Sequence, residues 1–219
     1  MIISILYVYS YGQNSFDKEN FRITVTPTQF IFCEFPVTFE KTLSNKFSVE
    51  LTLSYKKDTQ KSGEVKSGWI GLFDYYPNHN LWNELYQAAG INVGSKYYYT
   101  KRKNWYMELN FAYKHLWFDN KNAKFDNCEG YRFDGTRTER QNVFGIRALI
   151  GHSFCFNTSG KIKPVIDIYA GVGIRRDFFT FETFNGTVYD RYYEYKKETG
   201  AYTTPSFHFG IKTGISIFK

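Results

Sequence analysis

The sequence predicts an eight-stranded antiparallel up-and-down β-barrel. Three observations predict it: period-two alternation in eight segments, connections that alternate short and long, and a heavy load of aromatic residues. The chain has 219 residues, enough for one closed barrel without a second core. Its 22 Phe, 19 Tyr and 4 Trp bring aromatics to 21%, yet mean hydropathy stays negative. Aromatics favour strands, and they collect where an apolar surface meets a wet rim.

In chain order, 21–30 and 34–42 alternate weakly. Pro27 and Pro36 interrupt them, so this stretch makes either two strands or one bent strand. Segment 46–57 sets Phe47, Val49, Leu51, Leu53 and Tyr55 against Ser48, Glu50, Thr52 and Ser54, and 90–101 is a shorter version. Segment 104–118 sets Trp105, Met107, Leu109, Phe111, Tyr113 and Trp117 against Tyr106, Glu108, Asn110, Ala112 and Lys114. In 142–156, Phe144, Ile146, Ala148, Ile150, Phe154 and Phe156 oppose Gly145, Arg147, Gly151 and Ser153. Segment 164–174 (PVIDIYAGVGI) has Ile166, Ile168, Ala170, Val172 and Ile174 on one face and Asp167, Tyr169, Gly171 and Gly173 on the other. The last strand, 205–218, sets Phe207, Phe209, Ile211, Thr213, Ile215 and Ile217 against His208, Gly210, Lys212, Gly214 and Ser216.

Tight turns fall around Ser44 and Asn45, around Arg102 and Lys103, and at Thr158–Gly160. Long connections run over 58–89, 119–140 and 177–204, and a short one bends at Ile31–Glu34. Strict alternation of short and long places the short turns on one side of a membrane and the loops on the other. Within 58–89, Asn80–Ala89 reads as a short helix with Asn80 as cap and Leu81, Leu85 and Ala88 on one side.

After the first dozen residues no run approaches the ~20 apolar residues of a membrane helix, so a helical membrane protein is excluded. Residues 1–12 read as a secretory signal peptide lacking a basic start, with cleavage after Ser10-Tyr11-Gly12, and 13–219 as the barrel domain. Cys33, Cys128 and Cys155 show neither C-x-x-C spacing nor histidine neighbours, which points away from a metal site or redox dithiol. Cys33 and Cys128 fall in outer loops, where an oxidising compartment permits a disulfide, whereas Cys155 lies near the opposite strand ends. The net charge of +7 is scattered rather than clustered, which suits acidic lipopolysaccharide better than nucleic acid.

In a soluble barrel such as a lipocalin the apolar face lines a cavity, and in a membrane barrel it faces lipid. Here the polar faces carry Arg22, Lys96, Lys114, Arg147 and Lys212 with Glu40, Glu50, Glu108 and Asp167, a near balance that suits ion pairs in a closed lumen. Small residues accompany them at Gly94, Ala112, Gly145, Gly151, Gly171, Gly173, Gly210 and Gly214, as a narrow interior requires. Trp105, Trp117, Tyr99 and Phe156, near strand ends, read as interfacial girdles. The chain ends Gly214-Ile215-Ser216-Ile217-Phe218-Lys219, where Phe218 resembles the terminal aromatic read by the barrel insertion machinery.

Four stretches carry a family resemblance: 23–55, 95–99 with the following WYMELNFAY, 144–154 (FGIRALIGHSF) and 165–176 (VIDIYAGVGIRR). Together they resemble the small, uncharacterised outer-membrane barrels of Bacteroidota, distantly akin to OmpA and OmpX. The resemblance implies an outer-membrane location and no established activity or cofactor. Glu40 matches a recurrent acidic position of that family and is expected to pair in the lumen, with Arg22 or Arg147 as partner.

Function divides into three classes. A non-enzymatic surface protein would present its Tyr-rich loops for envelope integrity, adhesion or recognition of a ligand the sequence does not name. An enzyme acting on lipid A or phospholipid would need a base at the lipid boundary, and of His79, His115, His152 and His208 only His115 is well placed, without a nucleophile–acid grouping beside it. A pore is disfavoured by the width of eight strands.

Overall fold

The computed structural model describes residues 19–31, 33–57, 85–100, 104–118, 121–126, 132–156, 160–186 and 193–218. The expected signal peptide, His79 and Cys128 lie outside the described residues. The strands are β1 (Glu19–Val25), β2 (Glu34–Thr42), β3 (Phe47–Lys57), β4 (Leu85–Tyr98), β5 (Trp105–Phe118), β6 (Lys121–Asp126), β7 (Arg132–Cys155), β8 (Ile162–Gly186) and β9 (Tyr193–Phe218). One helical turn, α1 (Pro27–Phe30), joins β1 to β2.

All pairings are antiparallel, and eight strands close into a ring in up-and-down order, with β9 meeting β1 and β5 meeting β7. Among the described residues, strand β6 pairs only with the far end of β7, beyond the part of β7 that pairs with β5. From Arg22, successive register partners are Glu40, Glu50, Gly94, Asn110, Arg147, Gly173 and Ser206, yet Arg22 itself pairs with Ser216. The ring therefore closes with a stagger of ten residues, 206 against 216. For eight strands at a rise of about 3.3 Å per residue and a spacing of about 4.8 Å, that stagger tilts the strands by about 40° and sets a radius of about 8 Å. Each residue then advances about 2.5 Å along the axis.

Several expected boundaries are corrected. The first strand stops at Val25 instead of 30, because Pro27 has no N–H for the ladder and sits comfortably in the first turn of a helix. Residues 21–42 thus make two strands, joined through Cys33, whose φ of 55° lies in the left-handed region. The helix expected over Asn80–Ala89 is not formed in its described part, since Leu85–Ala89 are strand paired to β3 and β5. Most of the loop expected at 177–204 is instead the β8–β9 hairpin, paired up to Gly186 and Tyr193. The loop expected at 119–140 holds β6 and the start of β7. Strands β6 to β9 therefore rise past the ring as a four-stranded sheet.

Burial is inverted relative to a protein folded around an apolar core. On β3, Ser48, Glu50, Thr52, Ser54 and Lys56 are buried, and Phe47, Val49, Leu51, Leu53 and Tyr55 are exposed. Among the described residues 25 buried side chains are polar or charged and 13 are apolar, so the ring is packed with polar groups and coated with apolar ones.

Candidate functional site

The interior alternates in from every strand, so charges distant in sequence converge. At the end of the ring that carries Glu19 and Phe218, seven charged groups from seven strands form one network: Arg22, Glu40, Glu50, Lys96, Glu108, Asp167 and Lys212. Lys96 Nζ lies 2.8 Å from Glu40 Oε2, 3.1 Å from Glu50 Oε2 and 3.6 Å from Asp167 Oδ2. Arg22 Nη1 reaches both Asp167 oxygens at 3.2 and 3.1 Å and Glu40 at 3.8 Å, while its Nε donates to Ser216 Oγ at 3.1 Å. Lys212 Nζ sits 3.0 Å from both Glu50 oxygens and 3.7 Å from Glu108 Oε2.

Neutral donors complete the carboxylates. Ser48 and Tyr98 each donate to Glu40 Oε1 at 2.6 Å, Ser153 donates to Asp167 at 2.5 Å, and Asn110 Nδ2 bridges Glu50 and Glu108 at 3.2 and 2.8 Å. A buried ion loses several kcal/mol of hydration, so these groups tolerate burial only as a set. Of the two partners expected for Glu40, Arg22 contributes at longer range and Lys96 is nearest. Arg147 instead donates to Asn110 Oδ1 at 3.0 Å.

Lys114 lies higher in the interior and pairs with Glu34 at 2.7 Å, both nearly inaccessible. Higher still, Arg175 meets Asp177 at 3.0 Å, and Gln141 donates to Asp177 at 3.0 Å. The sequence reading missed Glu34, Arg175, Asp177 and Gln141. Glu34 lies within the expected strand 34–42 on the parity of Glu40, and parity carried just beyond the expected strand ends finds the others: Arg175 and Asp177 share the parity of Asp167, and Gln141 that of Arg147.

Between the charge layers, a cavity of about 40 Å³ touches Thr52, Asn92, Asn110, Arg147, Tyr169 and Lys212. At roughly 10–15 Å³ of such space per molecule it has room for about three waters. Phe218 points inward, 8% exposed, packed with Cys155 and 4.7 Å beneath Lys163 Nζ, and so helps close the ring's lower mouth.

The outer face is apolar through its middle and aromatic at both margins. Toward the termini, Trp105 stacks edge-on with His152 at 4.8 Å, His152 meets Phe154 at 4.3 Å, and Phe47 meets Tyr97 at 5.0 Å. At the other margin Tyr55 donates to Gln87 at 3.1 Å, Tyr113 donates to Asn142 Oδ1 at 2.9 Å, and His115 Nδ1 donates to the same oxygen at 2.6 Å with its ring edge-on to Trp117. Trp105 and His115 are ten residues apart on β5, which is about 25 Å along the axis. Comparison with known proteins finds no matching family model, no matching curated protein and no matching solved structure.

Proposed function

We propose that the chain is a non-enzymatic β-barrel protein of a bacterial outer membrane, with a closed, ion-paired lumen. Its outward-extended strands and loops then serve envelope integrity, adhesion or recognition of a surface ligand. The observation that carries this reading is the inverted burial. Alternating apolar residues from Phe47 to Tyr55, Trp105 to Phe111 and Phe207 to Ile215 are exposed together, and in water such a continuous coat drives association. A hydrocarbon environment removes that cost and also requires a closed sheet without free edges, as the ring provides through most of its wall.

The separation of the two aromatic margins supports the same reading, since an outer-membrane barrel carries an apolar band about 25 Å tall between aromatic girdles. Outer-membrane lipid, lipopolysaccharide included, and the barrel insertion machinery are its expected partners, with Phe218 part of the insertion signal. A lipid-modifying enzyme built on His115 has weaker support, because the contacts of that ring are an amide oxygen and an indole instead of a nucleophile and an acid.

The test is heat-modifiable migration combined with bilayer conductance. The unboiled protein folded in detergent should migrate faster than the boiled form, and planar bilayers should show no stable open-pore conductance. Equal migration together with solubility in detergent-free buffer would overturn the membrane reading, and steady conductance would overturn the closed lumen.

A further inference from the structure

The interior lysines Lys96, Lys114 and Lys212 meet carboxylates, and on the outer face Lys197 meets Glu182 at 3.0 Å. Arg140 and Arg176 differ: both are exposed on the outward parity of neighbouring strands, and among the described residues neither has a carboxylate partner. Arg176 rests instead over the ring of Phe178 at 5.1 Å.

The two arginines flank Asn142. Arg140 opposes Trp117 on β5, Asn142 opposes His115 on β5 and Phe178 on β8, and Phe144 opposes Arg176. Tyr113 and His115 both donate to Asn142 Oδ1, and the amide nitrogen of Asn142 makes no hydrogen bond among the described residues. The patch thus presents two guanidinium groups and an amide NH2 on one stretch of the outer face. Its complement is an acceptor-rich anion, and phosphate oxygens meet that description best. On the side toward the termini, the same face continues as exposed Phe144, Ile146 and Ile174.

Within the membrane reading, on which this step rests, we infer that this patch binds a phosphorylated glycolipid of the outer leaflet. Phosphate is held by Arg140 and Arg176, a sugar lies against Trp117 and Asn142, and acyl chains lie along Phe144, Ile146 and Ile174. Arg140 opposes Thr180, four residues from Arg176, so the two Cα atoms are about 14 Å apart. That span suits a phosphorylated disaccharide better than a single phosphodiester, which selects glycolipid over phospholipid.

The test titrates the detergent-folded protein with lipid A bearing both phosphates, with dephosphorylated lipid A and with phosphatidylglycerol, scored by native mass spectrometry. Wild type should bind the bisphosphorylated lipid at least tenfold more tightly than the other two. The double variant R140Q/R176Q should lose that tenfold, R140K/R176K should retain most of it, and Lys197→Gln should behave as wild type. Equal binding by R140Q/R176Q, or equal binding of dephosphorylated lipid A, would overturn the site. Phosphatidylglycerol bound as tightly as lipid A would overturn the glycolipid assignment. Heat-modifiable migration of each variant separates these outcomes from failure of the membrane reading, which would abolish the gel shift in wild type as well.

Discussion

Replacement of Lys96 by Met is the sharpest probe of the interior. Met matches Lys closely in length and volume, so Lys96→Met opens little cavity and mainly removes charge. In the native network three cations, Arg22, Lys96 and Lys212, face four carboxylates. The variant leaves two cations against four, and Glu40 keeps only Arg22 at 3.8 Å as a cationic neighbour. Breaking a buried pair by removing one partner costs about 3–5 kcal/mol, roughly two to nearly four decades in the folded-to-unfolded ratio. The companion variant Lys96→Met/Glu40→Gln removes a stranded charge while keeping the contacts of Ser48 and Tyr98 in reach, and should recover about 1–3 kcal/mol. Equilibrium urea unfolding of detergent-folded protein, read from the fast-migrating fraction on unboiled gels, measures both. A Lys96→Met variant within about 1 kcal/mol of wild type, or a double variant no more stable than the single, would refute the argument that these charges tolerate burial only as a set.

Other perturbations probe the wall and the loops. A Cβ at Gly214 would lie 1.9 Å from the Ile23 carbonyl oxygen across the β1–β9 seam. Gly214→Ala should therefore cost at least about 1–3 kcal/mol by overpacking and deplete the fast-migrating form. Gly160→Ala, whose nearest contact is 3.9 Å, should not. Leu109→Arg, on a side chain already 47% exposed near the middle of the apolar band, should destabilise by about 2–4 kcal/mol in a bilayer. A change within about 0.5 kcal/mol, normal for a water-facing surface, would count against lipid contact there. A thiol count under denaturing, non-reducing conditions should return one free thiol of three if Cys33 and Cys128 are joined, and three would end that idea.

The wall was legible where its two faces differ. Strand β3 alternates without exception, and that pattern fixes which of its residues face inward, while its register with β2 and β4 is left open by shifts of two residues. Parity also put Arg22, Glu40, Glu50, Lys96, Glu108, Lys114, Arg147, Asp167 and Lys212 on one side. The pairings among them were not legible, because neighbours across the interior depend on the stagger, and no local pattern encodes a ten-residue offset. Lys96, which bridges Glu40, Glu50 and Asp167, acquires that place only when the ring closes.

The outer half of β8 and β9 shows why strands were mistaken for loops. Up to Ile174 the outward positions of β8 are apolar, but beyond it they read Arg176, Phe178, Thr180 and Glu182, while the inward ones read Arg175, Asp177, Phe179 and Phe181. Alternation reports a contrast between two environments, so it fades wherever both faces meet mixed surroundings, even though the ladder continues. The level of that failure is informative. The outward face turns polar at Lys57, Gln87, His115, Asn142 and Arg176 on five consecutive strands of the ring, and with the tilt applied these positions fall within about 5 Å of one another along the axis. Contact with a neighbouring protein would trim each strand at its own height. A flat apolar slab cuts a tilted cylinder at one height, and that common height is what the proposed lipid contact of the inverted coat requires.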